Sequence, residues 1–158
     1  MWAWTGVACH MVHFAAINAA PPVFGALFVA QALLLLHFGI VRSRLRFGSG
    51  ARLSAPLGWA LVVYAAVAYP LIGIATGHGY PELPMFGITP CPVTIFTLGM
   101  ILLTTTAVPK SLLAVPAIWS LVGGSAAFLL GIAQDWPLIV SGLVVVPLVL
   151  ARNRHMPA

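Results

Sequence analysis

The sequence predicts an all-α protein: a polytopic transmembrane bundle of about six helices in a single domain, residues 1–158. Three observations predict it. Hydrophobic residues make up 61% of the chain and charged residues only 6%, far from the roughly 25% charged of an average soluble domain. The mean hydropathy is +1.07. Apolar runs of about 20 residues, enough to cross a ~30 Å hydrocarbon core, recur along the chain with short polar turns between them.

The expected spans are 2–19, 21–41, 56–76, 92–108, 110–131 and 137–151. Proline announces most of the starts. Pro21 and Pro22, Pro56, Pro92, Pro109 and Pro137 stand where the first helical turn has no use for an N–H. Pro70, Pro116 and Pro147 fall inside spans, where each frees a carbonyl that a neighbour must satisfy. The fourth and sixth spans are short and are expected to borrow flanking residues or to cross with little tilt.

Charge sets the orientation. Arg42, Arg44, Arg46 and Arg52 follow span two, Lys110 opens span five, and Arg152 and Arg154 follow span six. Alternation places all of them on one side, with Glu82 and Asp135 on the other, so the 42–52 loop and the C-terminus are expected to be cytoplasmic and the 77–91 loop periplasmic or extracellular. The location that follows is a bacterial inner membrane, with the lipid bilayer as first partner. The same pattern excludes nucleic acid despite a net charge of +5, because no stacking aromatics are interleaved with the arginines. The N-terminus lacks a charged n-region and its apolar stretch holds two histidines, so no cleaved signal peptide is expected.

WTGVACHMVHFAAINAA, FGALFVAQALL, GHGYP with FGITPCPVTIFTLG, and IWSLVGGSAAFLLGIAQD together cover most of the chain. As a set they resemble an uncharacterised family of bacterial multi-pass membrane proteins, a domain of unknown function. The resemblance implies a helical integral membrane protein and assigns no reaction, substrate or cofactor. Family members carry a further hydrophobic stretch ahead of the tryptophan-rich segment, whereas this chain starts at Met1 and Trp2; a short member or a missing N-terminal segment is expected.

Cys9, His10 and His13 fit within one arc of about 100° on an α-helix, with thiolate and imidazole donors suited to zinc or copper. They are the metal candidates, weighed against histidines that merely bond across helices. Polar groups at membrane depth turn inward, so His10, His13, Gln31 and His37 are expected to line an interior. Asn18 and Thr94 join them as candidate ligand-binding residues.

The segment GHGYPELPMFGITPCPVT joins spans three and four and is rich in glycine and proline, with Leu83, Met85, Phe86 and Ile88 to pack it down. An ordered outer loop at 77–91 is expected, either a binding lid or a stiff cap. His78, Tyr80 and Cys91 are its candidate site residues, with Cys91 at the start of a helix whose partial positive charge favours a thiolate. Cys9, about 12 Å in from the arginine side, and Cys91, at the other face, are placed too far apart for a disulfide.

Gly123, Ala127 and Gly131 recur at four-residue spacing in span five, a packing face within the chain or toward another protomer or a larger complex. Trp2, Trp4 and Trp136 read as interfacial anchors. No hydrolase elbow, phosphate loop, dinucleotide fingerprint or HExxH is present, and two acids rule against a paired-acid hydrolase. The leading expectation is handling of a small solute or ion through a histidine-lined interior under the 77–91 loop. A membrane enzyme using His78, Tyr80 and Cys91, and an accessory subunit without a site of its own, are the alternatives.

Overall fold

A computed structural model describes residues 1–14, 20–48, 54–77 and 85–156. Six helices account for most of them, with no strand among the described residues. Helix α1 is Trp2–Trp4 running on as wide, π-type turns through Thr5–His13. Then come α2 (Pro21–Val41), α3 (Ala55–Ala75), α4 (Pro90–Leu102), α5 (Ser111–Leu130) and, after a 3₁₀ turn at Ala133–Asp135, α6 (Trp136–Asn153).

Four of these are long and apolar enough to cross a membrane: Pro21–Val41, Ala55–Ala75, Ser111–Leu129 and Ala133–Asn153. Their outward faces carry large apolar side chains, such as Trp59, Val63, Val67 and Leu71 on α3 and Val140, Leu143, Val144 and Leu148 on α6. Exposure on that scale suits lipid and not water. Helix α4 is different. Its 13 residues reach about 20 Å, and it is buried on nearly every side, packed against α3, α5 and α6. An apolar helix without a polar face belongs in a core, and Ile95, Leu98 and Leu102 meet Leu112, Leu138, Val145 and Val149 there.

Small residues set the helix crossings. A Cβ on Gly6 would lie 2.8 Å from the Gly25 carbonyl oxygen, and one on Gly99 2.8 Å from that of Gly58, so α1–α2 and α3–α4 approach backbone to backbone. Between α5 and α6, Gly123 faces Leu138, Gly124 faces Ile139 and Gly142 faces Ser120. Gly123 and Ala127 are therefore buried within the chain, while Gly131 is exposed and ends α5 in the left-handed conformation that favours glycine.

The basic end of the bundle is tied together. Arg152 donates to the carbonyls of Ile101, Leu102 and Thr104 and to the Thr104 hydroxyl, capping the C-terminus of α4. Asn153 exchanges two hydrogen bonds with the backbone of Val108. The 44–47 segment bonds alongside 104–106. Arg44, Arg46, Arg152 and Lys110 thus lie at one end of the described helices.

Candidate functional site

At the opposite end, the interior prolines shape a polar cluster. Pro70 has no N–H to return to α3, and the turns before it, Tyr64–Ala68, widen to the π-type. In a regular α-helix residues five apart point about 140° away from each other. The wide turn brings Tyr64 and Tyr69 to one side, their rings 6.3 Å apart. Both hydroxyls reach the 3₁₀ turn between α5 and α6: Tyr64 donates to the carbonyl of Gln134 at 2.8 Å, and Tyr69 donates to the Asp135 carboxylate.

Asp135 is only 7% exposed. The thiol of Cys91, in the first turn of α4, lies beside that carboxylate. The indole N–H of Trp119, on α5, lies near that sulfur and has no acceptor in hydrogen-bonding geometry. The acid is thus held by a phenol with a thiol beside it, both neutral groups. The described arginines and Lys110 sit at the other end of the helices; Arg152 is 17 residues further along α6, about 25 Å away.

Trp119 joins this cluster to a second one. On its other side stands His10, 3% exposed, its ring 5.0 Å from the indole, 4.8 Å from Phe28 and 6.3 Å from Phe24. Its Nε2 atom has no hydrogen-bond partner.

The other sequence candidates fall out as follows. Gln31 is buried between α2 and α5 and donates to the carbonyl of Leu112 at 3.0 Å. Thr94 is buried, but its hydroxyl is spent on the Pro90 carbonyl of its own helix. His13 and His37 are exposed. Cys9, His10 and His13 do not converge, and among the described residues no group of three or more His, Cys, Asp or Glu is arranged for a metal. The wide turns of α1 are the reason, since they advance less per residue than α-helix and swing His13 away from His10. Asn18, His78, Tyr80 and Glu82 lie outside the described residues.

The expected depth of Cys9 needs correction. Trp2 Nε1 donates to Thr97 Oγ1 at 2.9 Å, so α1 begins two turns into α4 and not at the basic end. Rising from there past Phe28 and Phe24, α1 carries Cys9 toward the level of the α4 start, on the same side of the bundle as Cys91. Both thiols are free.

The sequence pattern of a family of unknown function, DUF6064, matches residues 1–158. The chain belongs to that family. No curated protein and no solved structure matches it. For this DUF6064 member the site must therefore be argued from its own geometry. Sequence reading assigned Asp135 to a polar outer turn and passed over Tyr64, Tyr69 and Trp119. The available signal was YAAVAYP, two tyrosines five apart just before an interior proline, on a helix otherwise without polar groups.

Proposed function

We propose that the protein handles a small solute or ion at the buried cluster of Asp135, Tyr69 and Cys91, with His10 in the adjoining interior. One observation carries the reading: a carboxylic acid enclosed by membrane helices and held only by neutral donors. Such a group costs several kcal/mol to bury, and intramembrane acids without a cationic partner are the sites at which protons or cations are taken up and released. The sorted basic residues support an orientation with the arginine face toward the cytoplasm of a bacterial inner membrane.

The reading is tested by reconstitution into vesicles loaded with a pH-sensitive dye, under an imposed membrane potential, with protons, Na⁺ and K⁺ tried in turn. Protein-containing vesicles are expected to exceed empty ones for at least one of these, Asp135→Asn to fall to the empty level, and Tyr69→Phe to lie between. Wild-type rates in Asp135→Asn, or no flux above empty vesicles for any of the three, would overturn it. A C-terminal fluorescent fusion that lights only in the cytoplasm tests the orientation.

A further inference from the structure

After α2 the chain runs as an extended ribbon beside residues 104–106. The Arg44 carbonyl accepts from Thr106 Oγ1 at 2.6 Å, the Arg46 carbonyl from the Thr105 N–H at 2.7 Å, and the Gly48 N–H donates to the Leu103 carbonyl at 2.9 Å. Successive side chains on an extended ribbon point to opposite sides. Leu45 and Phe47 turn to one side and line an apolar crevice of about 150 Å³. Arg44 and Arg46 turn to the other, exposed, and their guanidinium groups have no hydrogen bond or ion pair among the described residues.

The crevice follows α4 from Thr97, where Trp2 is bonded, to Thr104, which bridges to Phe47, a length of about 10 Å. Phe96 and Met100, one turn apart and half-buried, are its wall on α4, and Phe47 at its rim is 54% exposed. Water in such a crevice would find few partners, whereas an acyl chain fills it without loss. The charge beside it is of one sign. Arg152, bonded to the Ile101 and Thr104 carbonyls of the wall, adds a further cation, and the one acid among the described residues, Asp135, lies at the far end of the helices. A basic site of this kind, set against an apolar crevice between membrane helices, is complementary to an anionic lipid headgroup with its chain.

We propose that the crevice and the ribbon together bind one anionic phospholipid, with an acyl chain against Phe96 and Met100 and the phosphate held by Arg44 and Arg46. The ribbon is one strand thick, so a chain on its apolar side and a headgroup on its basic side belong to the same lipid, the arginine stems reaching up to the phosphate. Guanidinium groups suit that role because their fork of donors matches phosphate oxygens. The site stands or falls apart from the Asp135 cluster, with which it shares no residue.

The test takes the full chain, stripped of lipid in detergent, and reads bound lipid by native mass spectrometry with phosphatidylglycerol and phosphatidylcholine of equal chain length. One phosphatidylglycerol is expected to bind about tenfold more tightly than phosphatidylcholine. Arg44→Gln with Arg46→Gln is expected to erase that preference. Lys110→Gln with Arg154→Gln removes as much charge from exposed positions outside the crevice wall, and is expected to change affinity by less than about twofold. Equal affinity for the two lipids, or equal losses from the two pairs of substitutions, would mean diffuse attraction and overturn the site. Chain-free glycerophosphoglycerol at the same concentration is expected not to compete; if it does, the crevice takes no part and the proposal is overturned.

Discussion

The side-chain amide of Gln31 donates to the carbonyl of Leu112, the carbonyl that Pro116, four residues later and without an N–H, leaves unpaired in α5. Gln31 on α2 thus repairs a bond that α5 cannot make for itself, which is how membrane bundles tolerate interior proline.

This pairing predicts a dependence between the two positions. Gln31→Leu is expected to cost about 1 kcal/mol in the wild-type background. In a Pro116→Ala background, where residue 116 supplies the missing N–H, the same change should cost close to nothing. Unfolding of the four proteins in mixed micelles checks it; equal costs in both backgrounds would show that Gln31 acts otherwise.

Arg152 reads in sequence as an orientation charge, but its guanidinium holds three carbonyls and a hydroxyl at the end of α4. Arg152→Met is expected to destabilise by about 3 kcal/mol, since hydrogen bonds to charged groups are the stronger kind. Arg154→Met, at an exposed position, is expected to change stability by less than about 0.5 kcal/mol. Similar effects for both would reduce Arg152 to its charge.

The α5–α6 crossing predicts a rescue. A Cβ at Gly142 would lie 2.3 Å from the Ser120 Cβ, so Gly142→Ala must push the helices apart, at about 2 kcal/mol. Ser120→Gly removes the opposing atom, and the double variant should regain most of what Gly142→Ala loses. Additive losses in thermal unfolding would count against the crossing.

Removing a helix breaker usually stabilises an isolated helix, yet Pro70→Ala is expected not to raise the melting temperature. Regular winding of 64–69 would turn one of Tyr64 and Tyr69 away from the Gln134–Asp135 turn and leave the acid short of a donor. The effect should vanish when Tyr69→Phe is already present, and a clear rise in melting temperature for Pro70→Ala alone would show that the wide turn does not serve the cluster.

Hydropathy and proline placement were sufficient to find the helices, because spans of this length and composition have one stable environment and proline marks their starts. Arg44, Arg46, Lys110 and Arg152 lie at one end of the described helices. Gln31 and His10 were legible as inward-facing because polar groups in lipid have nowhere else to turn.

Pairwise geometry was not legible. Periodicity assumes 100° per residue, and the wide turns of α1 and α3 break that assumption, dispersing Cys9, His10 and His13 and gathering Tyr64 with Tyr69. Asp135 reads in sequence as a polar turn residue beside an anchoring tryptophan; only the folding of α3 and α4 against that turn buries it and supplies Tyr69 and Cys91 as partners. The sequence by itself determined a bundle of helices apolar enough for a membrane, since transfer to lipid is a property of each segment alone. Tertiary structure decided the site, because which donors meet which acceptors depends on how several helices wind and cross.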